Sequence, residues 1–187
     1  MLNIDESIQS GWLDARIETV VSSRAGVPGV ARAKKAGLPT IVLDRPNLSD
    51  ADFQRGITEA VAGADLVCMA GFLSWWRIPD ELYGRVMNIH PALLPEFGGK
   101  GMFGLRVHEA VIAAGKTISG CTVHFCDQEF DHGPIILQRR VPVLQHDTAK
   151  ELAARVFKEE CIAYPQAIRL FGEGRLRWTG GAVEILE

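Results

Sequence analysis

The chain alternates short apolar runs with longer amphipathic stretches. Ile17 to Ser22, Thr40 to Asp44, Asp65 to Gly71 and Arg85 to His90 are β-branched or Leu-rich runs of strand length, spaced widely enough for crossover helices between them. Strands buried on both faces need such continuous apolar runs, so the pattern predicts a parallel α/β sheet. Val27 to Gly37 ends in a glycine suited to a helix C-cap, and Ser49-Asp50-Ala51-Asp52 opens Phe53 to Ala64 with an N-cap residue and early acids, so both stretches predict helices. Arg106 to Gly115 predicts a further helix, followed by strands over Thr117 to Cys126 and Pro134 to Val143. A long amphipathic helix is predicted from about Thr148 to Gly172, with Leu152, Val156, Ile162 and Ile168 close to one stripe. Pro165 has no N–H to donate and is expected to kink or interrupt it. Leu176 to Trp178 and Val183 to Leu186, around Gly180-Gly181, predict a terminal hairpin. There is no repeat and no linker, so a single domain over 1–187 is expected.

Residues 3–11 read as the remainder of a first helix. In an open α/β sheet such a helix follows a strand and a glycine-rich turn whose N–H groups hold a phosphate. The expected fold is therefore a doubly wound, mostly parallel, Rossmann-like sheet with its first strand and phosphate loop missing. The reading places the natural start upstream of Met1; a domain built without a first strand is the alternative.

Composition narrows the class. A chain of 187 residues buries about 70% of its unfolded surface around one core. It is 47% hydrophobic and 23% charged, as ordinary globular proteins are, and it has no apolar run of membrane-spanning length. A net charge of -3 argues against non-specific nucleic-acid binding. Cys68, Cys121, Cys126 and Cys161 form no C-x-x-C pair, so they predict buried free thiols in a reducing compartment and no zinc site. Met1 to Glu6 carries no basic segment leading into an apolar core, so no secretory signal is expected and the cytoplasm is the expected setting.

The candidate chemistry lies where strands run out. In Val86-Met87-Asn88-Ile89-His90 the period of two turns Asn88 and His90 to one face and Ile89 to the other. Pro91 cannot continue a central ladder, so the strand ends there and releases an amide and an imidazole into a cleft. Two buried, satisfied polar residues are the plainer reading. In Cys121 to Pro134 the same alternation puts Thr122, His124 and Cys126 on one face, which would aim His124 at the cleft of His90. Asp127, Glu129 and Asp131 then crowd a loop closed by Gly133-Pro134. Asp131 is either a turn former or the carboxylate that orients His90 and moves its proton. Gly99-x-Gly101-x-x-Gly104 satisfies a dinucleotide fingerprint only as a string, because it does not directly follow its strand, and Lys100 is not followed by the Ser or Thr of a Walker loop. It reads as a flexible lid offering Lys100 to an anion, or as a surface loop. Trp75 and Trp76 follow a predicted strand end and either wall a pocket for a flat heterocycle or belong to a core.

These segments resemble the folate-dependent formyltransferases, most closely the glycinamide ribonucleotide branch. The likeness rests on Ala70-Gly71-Phe72, Asn88-Ile89-His90-Pro91 with Leu93-Leu94-Pro95, Gly98-Gly99-Lys100-Gly101-Met102, Thr122-Val123-His124-Phe125, Asp131-x-Gly133-Pro134, and Glu160 with Tyr164-Pro165. It runs from about residue 2 to 180. The resemblance implies formyl transfer from 10-formyltetrahydrofolate to the amine of glycinamide ribonucleotide, without a metal. It implies Asn88, His90 and Asp131 as catalytic residues, and Phe72, Leu73, Ile89, Pro91, Lys100, His124 and Glu160 as substrate-binding. Trp75, Trp76, Cys126, Asp127, Gln128, Glu129 and Phe130 would enclose the folate, although Ser74-Trp75-Trp76 stands where many members carry Arg and aliphatic residues. Small-molecule substrates, no nucleic acid, no membrane and a homodimer formed around exposed sheet are the expected partners. Without the phosphate loop a weak or absent activity is expected. A formyltetrahydrofolate hydrolase and a non-catalytic folate-binding pseudoenzyme are the alternatives.

Overall fold

The computed structural model describes residues 1–179 and 181–187. Its elements are α1 (Leu2–Gln9), β1 (Val20–Ser22), α2 (Pro28–Lys35), β2 (Thr40–Val42), α3 (Asp50–Ala60), β3 (Val67–Met69), β4 (Val86–His90), α4 (Leu105–Ala113), β5 (Ile118–Phe125), β6 (Ile135–Pro142), α5 (Ala149–Gly172), β7 (Leu176–Trp178) and β8 (Val183–Ile185). Short 3₁₀ turns at Arg45–Asn47 and Asp80–Leu82 were not legible from periodicity.

The parallel α/β pattern holds over the first four strands. β1 pairs with β2 and β3 with β4, both in parallel, whereas β4–β5 and β5–β6 are antiparallel. Among the described residues no ladder joins β1 to β3, so β1–β2 and β3–β4–β5–β6 are separate sheets. The first three strands are shorter than their apolar runs, at three residues each. Gly71 shows why for β3: its φ of 71° turns the chain out of the extended region soon after Met69.

Two cores enclose the four-stranded sheet. Met87, Cys121, Val123 and Phe125 face one of them, shared with α5 residues Leu152, Val156 and Ala167. Val86 and Cys126 face the other, built by Phe53 and Ile57 of α3 with Trp76, Ile78 and Leu82. Adjacent residues thus serve opposite cores, and the face carrying Val86 and Cys126 is the one that carries Asn88, His90, Thr122 and His124.

α5 begins with a complete capping box, in which the Thr148 hydroxyl accepts from Glu151 N–H and the Glu151 carboxylate accepts from Thr148 N–H. The expected interruption at Pro165 does not occur: the helix is continuous through it. A proline there removes the N–H that would bond the Cys161 carbonyl, and Asn3 Nδ2 of α1 donates to that carbonyl instead, at 2.7 Å. The missing donor in α5 thus leaves a carbonyl to which α1 is hydrogen-bonded, beside the burial of Ile4 in the core. Ile162 leaves the predicted stripe and is 47% exposed, while Ala163, Tyr164 and Ala167 are buried. The ten residues from Leu152 to Ile162 turn a helix by roughly 1000°, which leaves Ile162 about 80° from the buried line.

The terminal hairpin forms, β7 antiparallel to β8, with Trp178 stacked on Phe125 at 5.7 Å. Of the predicted Gly180-Gly181 turn, Gly180 lies outside the described residues.

Candidate active site

Three segments converge on one face of the β4–β5 ladder. β4 supplies Asn88 and His90, β5 supplies His124, and the loop after β5 supplies Asp131. The register sets Asn88 opposite His124 and His90 opposite Thr122. Cross-strand neighbours lie about 4.5–5.5 Å apart at Cβ, so the pairing itself brings the amide to the second imidazole. The sequence-predicted cluster of Asn88, His90, His124 and Asp131 is thus assembled.

The hydrogen bonds define its polarity. Asn88 Nδ2 lies 3.3 Å from Asp131 Oδ1 and 3.3 Å from His124 Nε2. His124 Nδ1 lies 2.8 Å from the Phe125 carbonyl and donates to it, while Nε2 lies 3.7 Å from Asp131 Oδ1. His90 Nε2 lies 2.8 Å from the Phe97 carbonyl, and Nδ1 lies 3.4 Å from Asp131 Oδ2. A carbonyl accepts only, so Nε2 carries a proton. Nδ1 then faces a carboxylate, a position that favours a second proton.

Electrostatics oppose one another at His90. Burial pulls its pKa below the ordinary imidazole value, against the Asp131 carboxylate and the Phe97 carbonyl, which favour the cation. For Asp131 burial pushes the pKa up, but the His124 ring, the His90 charge and the Gly99 N–H together hold it below the usual carboxylate value. The resting pair is thus an ionised carboxylate beside an imidazole poised to take a proton.

The glycine loop builds part of this site. Gly99 N–H donates to Asp131 Oδ2 at 3.0 Å, and a Cβ on Gly98 would come within 3.2 Å of Asp131 Cβ and 2.5 Å of Leu94 Cδ2. Gly99, Gly101 and Gly104 all have positive φ, and these glycines shape a loop that reaches Asp131. Sequence reasoning left this segment as a lid or a surface loop and missed its clasp on Asp131. Lys100, beside that clasp, is exposed. Asp131 itself has a φ of 55°, in the left-handed region that Asp tolerates better than most residues.

The other predicted residues separate by position. Phe72 stacks on Phe53 at 6.4 Å, and Leu73 is 57% exposed. Ile89 points to the core opposite Asn88, which leaves only its backbone for the cleft. Pro91 is half-buried directly after β4. Trp75 lies against α3, with its carbonyl accepting from Gln54 and its ring under Arg77. Trp76 is not brought to the cleft: it is 3% exposed in the core beneath α3, where Nε1 donates to Thr58 Oγ1. Cys126 is buried, and Asp127 is a turn former that accepts from Glu129 N–H and holds His132 at 2.7 Å. Gln128 ties the loop to the Ile78 carbonyl and the Tyr83 hydroxyl, whereas Glu129 and Phe130 are exposed. Glu160 lies on α5, and burial pushes its carboxyl up to about 7. No hydrogen bond or ion pair among the described residues joins it to Asn88, His90 or Asp131. No group of three or more His, Cys, Asp or Glu suited to a metal is found among the described residues, and no helix among them is long and apolar enough to cross a membrane.

Known proteins resemble this chain in sequence and fold. Residues 2–168 match the family described as formyl transferase. The chain is 39% identical to the chloroplastic phosphoribosylglycinamide formyltransferase of Vigna unguiculata, covering 99% of this chain and 61% of that protein. It is 36% identical to the phosphoribosylglycinamide formyltransferase of Haemophilus influenzae, covering 93% and 82%. The chain spans between 61% and 65% of the length of the two plant relatives it matches. Among solved structures, glycinamide ribonucleotide transformylase 1 of Symbiobacterium toebii superposes with a TM-score of 0.90 at 40% identity, covering 99% of this chain and 87% of that one. Family match, sequence identity and superposition agree, and the chain belongs to the formyl transferase family.

Proposed function

We propose that this chain transfers a formyl group from 10-formyltetrahydrofolate to the primary amine of glycinamide ribonucleotide. One observation carries the reading: Asn88 Nδ2 and His90 Nδ1, a donor once the ring is protonated, both face a single anion, the Asp131 carboxylate, at 3.3 and 3.4 Å. Charge-assisted hydrogen bonds at their optimum are about 2.7–2.9 Å, so these donors are held by the fold and not drawn fully onto Asp131. Donors fixed towards negative charge are what a tetrahedral intermediate requires. The names of the relatives supply the acceptor substrate.

In the proposed reaction the amine nitrogen attacks the formyl carbon, and the C=O pair moves onto oxygen. Asn88 and protonated His90 donate to that oxyanion. Asp131 holds the charge of His90 and, through water, relays the proton lost by the amine to the folate nitrogen that departs as the C–N bond breaks. As written, the transfer needs neither a metal nor a covalent enzyme intermediate. Glu160 is assigned to the glycinamide end, Lys100 to an anionic group, and Phe72, Leu73, Trp75 and the backbone at 126–131 to the folate.

His90→Ala removes a donor and the proton carrier together, and kcat should fall by about 10²–10⁴-fold. Formyl transfer to glycinamide ribonucleotide, followed by the loss of formyl-folate, checks this. Unchanged turnover would refute the assignment of His90, and formate release at the same rate without the amine would make the chain a hydrolase.

A further inference from the structure

We infer that Thr122 and Gln138 are positioning residues that hold the Pro91–Phe97 turn so that its last carbonyl stays on the His90 ring. Neither belongs to the machinery described above. Thr122 is completely buried opposite His90. Its hydroxyl donates to the Ala92 carbonyl at 2.6 Å and accepts from Leu94 N–H at 3.0 Å and from Gln138 Nε2 at 2.9 Å. Gln138 Nε2 also donates to the Leu94 carbonyl at 3.0 Å. One hydroxyl and one amide thus bind the turn at residues 92 and 94, between His90 and Phe97, and a hydroxyl with one donor and two acceptor lone pairs is fully used.

The consequence runs through Phe97. Among the described residues its carbonyl is the only backbone group hydrogen-bonded to the His90 ring, and it reaches Nε2 because the chain doubles back between residues 91 and 97. Loosening the turn withdraws an acceptor that favours the imidazolium. The other groups facing His90 are the Asp131 carboxylate from the loop after β5, His124 from β5 and His108 from α4. None of these bonds to Thr122 or Gln138, so the turn can be altered without touching them.

This inference rests on the proposed role of His90, but its test need not use the reaction. The His90 ring is titrated by NMR in the full chain as wild type, Thr122→Val and Thr122→Ser. Valine keeps the shape and removes the hydroxyl, and serine restores it. The Thr122→Val midpoint should fall by about 0.5–1 unit, the size of one weakened charge-assisted hydrogen bond, and Thr122→Ser should stay near wild type. If Thr122→Val does not fold, Gln138→Met takes its place and should show the same fall. A midpoint within about 0.2 unit of wild type in a folded variant overturns the inference. If the wild type shows no formyl transfer, the proposed function fails while the titration still decides the role of Thr122. Where transfer is present, kcat should fall about 3–10-fold in Thr122→Val with KM for formyl-folate little changed.

Discussion

At the scale of single residues, Glu160 of α5 is a group whose burial is costly in one protonation state. Its carboxyl is pushed up to about 7, chiefly by burial. The folded chain therefore holds a proton on Glu160 that the unfolded chain has already lost above the ordinary value of 4.5. The sign follows from linkage: the favourable contribution of the neutral carboxyl is fully present below 4.5 and is lost as the pH rises through about 7. Glutamine cannot ionise. Glu160→Gln should melt with the wild type near pH 4.5 and at a higher temperature at pH 8, as thermal unfolding at the two values would show. A lower melting temperature at pH 8 would mean that the carboxylate is stabilised by a partner. A carboxyl with its pKa so displaced is a candidate to meet substrate, in keeping with the role proposed for it.

At the scale of elements, the contact between α1 and α5 depends on a bond that α5 cannot make for itself. Asn3 Nδ2 donates to the Cys161 carbonyl, left free because Pro165 has no N–H. Asn3→Ala should cost about 1–2 kcal/mol by leaving that carbonyl without its partner. In a Pro165→Ala background the new N–H of residue 165 can bond Cys161, and the same Asn3→Ala change should cost close to nothing. Denaturant unfolding of the four proteins measures this coupling, and additive effects would show that the two positions are independent.

The same element scale shows what sequence could convey. Alternation by two is a property of one strand, so the shared face of Asn88 and His90, and that of Thr122, His124 and Cys126, could be read directly, as could the helix cap at Ser49. Partners far apart in the chain could not. The Gly99 clasp on Asp131 spans 32 residues, and nothing in Gly98-Gly99 distinguishes a loop packed beneath a carboxylate from a free one. Trp76 was open to two readings for a related reason. Whether a tryptophan after a strand lines a cleft or fills a core depends on α3, whose Phe53, Ile57 and Thr58 receive it.

At the scale of the whole molecule, the division of the sheet sets where the fold should open first. β5 is buried along nearly its whole length and is paired on both sides, and β4 lies between β3 and β5. β1 and β2 have only three residues each, none fully buried, and among the described residues they pair only with each other. Local opening is easiest where few apolar contacts and few ladder bonds must break together. Amides of Val20–Ser22 and Thr40–Val42 should therefore exchange with deuterium at least about 10²-fold faster than those of Met87–His90 and Cys121–Phe125, a difference of some 2.7 kcal/mol in opening free energy. Unpaired strand edges such as those of β1 and β3 invite pairing with another chain. Exchange at Val20–Ser22 and Val67–Met69 should then slow as protein concentration rises, while the paired interior of β4 and β5 stays constant. Uniform protection across both sheets would show that they open as one unit, and concentration-independent exchange at both edges would remove edge pairing as the route to a dimer. Asn88, His90 and His124 sit on the protected ladder, and Asp131 in the loop that follows it, so the geometry of the cluster should survive opening of β1 and β2, and His90 should give the same titration midpoint in conditions where those strands exchange freely.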